Sequence, residues 1–141
     1  MGSKVEPTAN GGHVSFDVTG QLAHSADVAG CLGYIENPED CDIIVTSAFL
    51  YGVTKSTGAA NITVGNAATV ASAHDRTDLF AAAAQAASQG TAITGFAWGD
   101  PAASLPRVPK GDVIAAFGSA TTVGYTGVFF FTYVRVPDYT A

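Results

Sequence analysis

The densest group of side chains that could do chemistry is Glu36, Glu39, Asp40 and Asp42, set around a Glu-Asn-Pro-Glu-Asp turn. Hard cations such as calcium take clustered carboxylate and carbonyl oxygens, and a turn can supply both. The spacing matches no calcium-loop pattern, however, and acidic turns are commonly just solvated. His13, His24 and His74 fall in three separate segments with neither HxH nor HExxH spacing, and zinc would need Cys/His pairs closer together than Cys31 and Cys41. There is no GxSxG elbow and no Gly-rich phosphate loop with a lysine. Asp75 and Asp78 read as helix-capping residues rather than as paired acid and base. Trp98, Tyr51 and Tyr139 could build a sugar-stacking platform, although core packing is the plainer role for Trp98. The expectation is a protein that is not an enzyme and calls for no cofactor or metal.

A chain of 141 residues suits one domain with a core of its own. The chain is 48% hydrophobic and 13% charged, about half the usual charged share. Scarce surface charge suggests surface covered by partners. A net charge of −6, with six scattered Lys and Arg, argues against nucleic-acid binding, which needs clustered cations. The N-terminal MGSKVEPTANGG has no apolar signal-peptide core, and no run approaches the ~20 apolar residues of a membrane span. Synthesis in a cytosol is expected. Cys31 and Cys41 then read as buried thiols, though a disulfide across the Tyr34–Asp40 turn is geometrically conceivable.

Residues 1–12 read as a flexible arm that orders on a partner, and 13–141 as a single domain. Val14, Phe16 and Val18 alternate on one strand. The stretch 42–54 is a long strand on which Ile43, Val45, Phe49, Tyr51 and Val53 share one face, with Gly52 marking a bulge or a close approach. Residues 75–89 form the one convincing helix, Ala-rich, with Leu79 and Phe80 as its large anchors and Gly90 as C-cap. Runs 112–117 and 125–136 read as a closing hairpin. In the second run Phe129, Phe131 and Tyr133 face one side, while Val128, Phe130, Val134 and Val136 face the other. Both faces being apolar, this strand is expected to be covered on both sides. Roughly eight strands, one helix and no βαβ alternation define a mainly β protein, an antiparallel β-sandwich of jelly-roll type with one short Ala-rich helix.

Three phrases carry a resemblance: GCLGYIENPEDCDIIVTSAFLYGVTKSTGAANITVG at 30–65, DLFAAAA, and LPRVPKGDVIAAFGSATTVGYTGVFFFTYVRV at 105–136. Together they resemble small virion structural proteins of tailed bacteriophages. The resemblance implies a β-sandwich or jelly-roll module serving as a capsid decoration (cement) protein, or as a head or tail fibre component that binds a receptor or glycan. It further implies a homo-oligomer, with a trimer favoured, and partners among the major capsid protein or other virion proteins. The location it implies is the virion, after synthesis in the host cytoplasm. Lys4, Val5, Phe16 and Tyr139 are the candidate assembly contacts.

Overall fold

Alternating apolar and polar side chains, rich in β-branched and aromatic types, favour strands along most of the chain. The computed structural model describes residues 4–7, 11–58, 60–83, 92–94 and 105–136. Ten strands are found among them: β1 (Lys4–Pro7), β2 (Gly11–Thr19), β3 (Cys31–Glu36), β4 (Asp42–Thr54), β5 (Ile62–Ala67), β6 (Phe80–Ala83), β7 (Ala92–Thr94), β8 (Arg107–Val108), β9 (Val113–Gly118) and β10 (Thr126–Val136). All pair antiparallel. A six-stranded sheet runs β1-β2-β10-β4-β7, with β8 also on β4, and a four-stranded sheet runs β3-β9-β5-β6.

The two sheets share one core. Val14, Phe16 and Val18 of β2, Ile43, Val45, Ala48 and Leu50 of β4, and Phe129, Phe131 and Tyr133 of β10 meet Leu32, Ile62, Val64, Ile114 and Ala116 of the smaller sheet. Burying each large side chain here contributes roughly 1.5–3 kcal/mol relative to leaving it in water. A second, smaller cluster lies on the outer side of the four-stranded sheet, where Cys31, Ala115 and Phe117 are covered by Ala73 from a 3-10 turn at Ala71–Ala73. This explains why all six residues of β9 are buried.

Several expectations are corrected. The closing hairpin does not exist, because β9 pairs with β3 and β5 while β10 pairs with β2 and β4. Residues 119–125 instead cross between sheets, tied by Gly20 N–H to Tyr125 O (2.8 Å), Thr122 N–H to Gln21 O (3.0 Å) and Ser119 N–H to Asn61 O (2.8 Å). The helix over 75–89 is also overturned for its described part, since Phe80–Ala83 is a strand on β5. Ala-rich propensity is worth only tenths of a kcal/mol per residue, and a helix must still nucleate. Against that, β5 offers an open backbone edge and Leu79 is fully buried. Asp75, at φ 63, turns the chain through the left-handed region where a helix would start. Residues 84–89 lie outside the described residues.

The face assignment along β4 holds only at its start. Tyr133 stands opposite Val45 and Thr132 opposite Ser47, leaving Thr46 as the extra residue of a β-bulge. Past it the inward set switches to Ala48, Leu50 and Gly52, so Phe49, Tyr51 and Val53 lie on the outer face. A second irregularity skips Val53 beside Gly52, as the glycine suggested. Within the segment read as a flexible arm, Lys4–Pro7 pairs with Gly12–Ser15 as an edge strand and Gly11 begins β2. The outer face of β10 is only half covered, with Val134 at 41% exposure. The two cysteines are free and buried.

Candidate interaction surfaces

The acidic turn connects β3 in one sheet to β4 in the other, and Asn37 builds it. Its buried Nδ2 donates to Cys41 O, Val108 O and Pro109 O at 3.0–3.1 Å, while its Oδ1 accepts from Glu39 N–H at 2.9 Å. That self-bonded Asx geometry is why asparagine suits the position before Pro38. Three of the four carboxylates, those of Glu39, Asp40 and Asp42, then face cations rather than one another. Arg135 Nε lies 3.0 Å from Glu39 Oε1, and its Nη2 donates to Asp40 Oδ1 at 3.1 Å. Asp42 takes Arg107 Nε at 3.0 Å and the Lys110 backbone N–H at 2.8 Å. The Lys110 amide first, and the Arg107 side chain second, hold the Asp42 carboxyl below its ordinary range. Tyr133 Oη donates to Glu39 Oε2, and burial together with that bond pushes the phenol's ionisation well above its usual value. An open cleft of about 630 Å³ is bordered by Asp40, Asp42, Arg107, Lys110 and Arg135. Its charges are mostly spent on internal pairs. Among the described residues no three His, Cys, Asp or Glu side chains converge as metal ligands.

The histidines are dispersed as expected, with one exception. His24 and His74 approach to 6.0 Å between ring centroids, and His74 meets Phe117 edge-on at 5.1 Å. His74 Nδ1 lies 3.2 Å from Asp75 Oδ2. These rings cap the smaller cluster beside Cys31, whose thiol pKa is raised by burial.

A further exposed surface is the outer face of the six-stranded sheet. The β4 bulge places Phe49 there, against Phe130 of β10, with centroids 4.6 Å apart and planes 17° from parallel. A shallow groove of about 170 Å³ beside the pair is lined by His13, Ser47, Phe49, Phe130 and Thr132. Ser47 and Thr132, which line it, share a hydroxyl hydrogen bond, and Thr46 bonds the same Thr132 hydroxyl. Around it Tyr51, Val53 and Val134 are 42%, 57% and 41% exposed. Sequence reasoning missed this pair because straight alternation puts Phe49 on the side of Val45.

Of the candidate assembly contacts, Phe16 is a core residue, 3% exposed and 5.5 Å from the Phe129 ring. Lys4 and Val5 lie in edge strand β1, in register with Ser15 and Val14. Tyr139 lies outside the described residues, as does Trp98; Tyr51 is on the outer face. No helix among the described residues is long and apolar enough to cross a membrane. No protein-family model, curated protein or solved structure matches this chain.

Proposed function

We propose that this chain is a non-enzymatic structural protein of a tailed-bacteriophage virion, a capsid decoration (cement) protein that binds and stabilises the head surface as an oligomer. The observation that carries the reading is the aromatic outer face of the β4–β10 pair, which has no charged side chain between Asp42 and Lys55 or between Tyr125 and Arg135, beside an acidic turn whose carboxylates are paired with Arg107 and Arg135. Such a surface suits permanent contact with other subunits more than solvation. The winding supports it too. Orders β2-β10-β4-β7 and β3-β9-β5-β6, with successive strands mostly changing sheet, favour a jelly-roll reading, the plan that viral capsid domains use. Its partners are the major capsid protein and further copies of itself, as a trimer if the resemblance holds, and its place is the virion assembled in the host cytoplasm.

Mass-spectrometric counting of the chain in purified particles tests this. A high copy number, scaling with the capsid protein, is expected. Its absence from particles would overturn the proposal. A handful of copies would instead favour a head or tail fibre module that binds a receptor or glycan. The Phe49–Phe130 stack beside the hydroxyls of Ser47 and Thr132 is the observation on the side of that second reading.

A further inference from the structure

We propose that His24 and His74 form a binding site for a late first-row divalent cation such as Zn2+, on the outer side of the four-stranded sheet. The inference rests on these two loops and stands apart from the virion reading.

The two rings come from loops separated along the chain by β3, β4 and β5, so no motif spacing in the sequence joins them. The fold brings them to 6.0 Å between ring centroids, over the small cluster that holds Phe117. Such an ion takes imidazole nitrogens at ~2.0–2.1 Å, which sets the ring centres of two histidines sharing one tetrahedral ion roughly 5–6 Å apart. The observed separation is at the upper end of that range. His24 is exposed, so its ring can turn the remaining way and present either nitrogen without disturbing the core.

His74 is the built half of the site. It closes the 3-10 turn, its backbone N–H donating to Ala71 O at 3.2 Å, and its ring stands edge-on to Phe117. Nδ1 lies 3.2 Å from Asp75 Oδ2, which places the ring hydrogen on Nδ1 and leaves the lone pair on Nε2. Nε2 is buried and has no hydrogen-bond partner among the described residues. A buried acceptor without a donor is costly, and a cation satisfies it. Metal-ligating histidines use the same arrangement, one nitrogen held by a carboxylate that fixes the tautomer while the other takes the ion.

The surroundings choose the ion. Nitrogen donors favour Zn2+, Cu2+ or Ni2+ over calcium and magnesium, which take oxygen. The strands beneath the 3-10 turn, β5 and β9, carry no charged side chain, and Arg76 is held by Asp78 at 2.8 Å. No competing cation therefore occupies the place. Because no third His, Cys, Asp or Glu converges among the described residues, water completes the coordination and binding is reversible.

The test is calorimetric titration of Zn2+ into the full chain, beside His24→Gln, His74→Gln, Asp75→Asn and a control, His13→Gln, on the other sheet. Circular dichroism checks that each variant folds. His24→Gln changes only an exposed side chain, so it keeps the test decisive should His74→Gln not fold. The native chain and the control are expected to take up one Zn2+ with the same affinity. Each of His24→Gln and His74→Gln should weaken binding tenfold or more, and Asp75→Asn should weaken it by about 10- to 100-fold. A native chain that takes up no Zn2+, or binding left unchanged by His24→Gln or by a folded His74→Gln, overturns the inference. Neither result bears on whether the chain is present in particles.

Discussion

Tyr133 and Glu39, 94 positions apart, are joined by a 2.5 Å hydrogen bond from the phenol Oη to the carboxylate Oε2. The bond ties the end of β10 to the turn that carries the chain from one sheet to the other. Glu39 is only 11% exposed at its side chain, so losing this donor leaves the carboxylate to Arg135 in a place where water reaches it poorly. Hydrogen bonds to charged groups are worth about 1.5–3 kcal/mol. Tyr133→Phe should lower unfolding stability by about that amount, with the midpoint of urea denaturation reduced and its slope unchanged. An unshifted midpoint would show that the Tyr133–Glu39 bond adds nothing to a turn already held by Asn37 and Arg135.

Acid should weaken the fold through Asp42 and Asp78. Asp42 is held low by the Lys110 amide and by Arg107. For Asp78, burial pulls the pKa upward, but bonds from Arg76 and from Asn66 N–H outweigh it and the net shift is down. Unfolded, both titrate near 3.8. Below about pH 4 the unfolded chain therefore takes up protons that the folded chain refuses. The stabilisation is fully present above that pH and is lost as pH falls through the folded values. Urea midpoints followed from neutral to acid pH should fall along this branch, and Asp78→Asn should flatten it. An Asp78→Asn branch as steep as the native one would assign the acid sensitivity elsewhere.

Tyr125 gives the alkaline counterpart. Its side chain is fully buried, and its Oη has no hydrogen-bond partner among the described residues. Burial pushes its ionisation up to about 12 from 10. Above pH 10 the unfolded chain releases this proton while the folded chain keeps it, so stability falls between those two values. Tyr125→Phe removes an unsatisfied hydroxyl and should be neutral or stabilising at pH 7. It should also remove part of the alkaline decline, read from thermal midpoints at neutral and high pH. A loss of more than about 1 kcal/mol at pH 7 would mean the hydroxyl has a partner after all.

Between the sheets, Gly33 of β3 leaves no room for a side chain. A Cβ there would stand 2.2 Å from the Asp17 carbonyl oxygen of β2. Backbone rather than a flexible side chain is the obstacle, so the two strands must separate. Gly33→Ala should cost about 1–3 kcal/mol, the range for overpacking a tight interior. Gly58→Ala, with nothing within 4 Å, is the matched control in the same denaturation series.

What could be read from the sequence was what local alternation encodes. The bounds of β4, the inward set of β2 and the inward trio Phe129, Phe131 and Tyr133 all follow from period-two patterning. Partner choice does not. Val113–Gly118 and Thr126–Val136 look like the arms of a hairpin, yet each finds better neighbours in a different sheet. The Ala-rich run carries helical propensity but no volume that would force a helix against the open edge of β5. In the candidate site, the acidic turn was visible but its cations were not, because Arg107 and Arg135 reach it only through strand pairing.

The least legible feature is the bulge at Thr46, and it yields the sharpest test. Thr46 and Ser47 both bond Thr132 Oγ1, and only Ser47 has a register partner. Because one extra residue sits there, Val45 and Ala48 both point inward although they are three positions apart. Deleting Thr46 restores plain alternation and leaves Ile43, Val45, Ala48 and Leu50 inward, so the variant should unfold cooperatively with native-like near-ultraviolet dichroism. Inserting alanine between Phe49 and Leu50 does the opposite. It turns Leu50 toward water and drives Tyr51 into the core, since a one-residue slip exchanges the faces of a strand. Losing Leu50 alone from the core costs about 2–5 kcal/mol, a large part of the stability of a domain this size. The insertion variant should therefore be unfolded or molten. If the insertion were tolerated and the deletion were not, register along β4 would be set by its pairing with β7 at Phe49–Tyr51 rather than by the core.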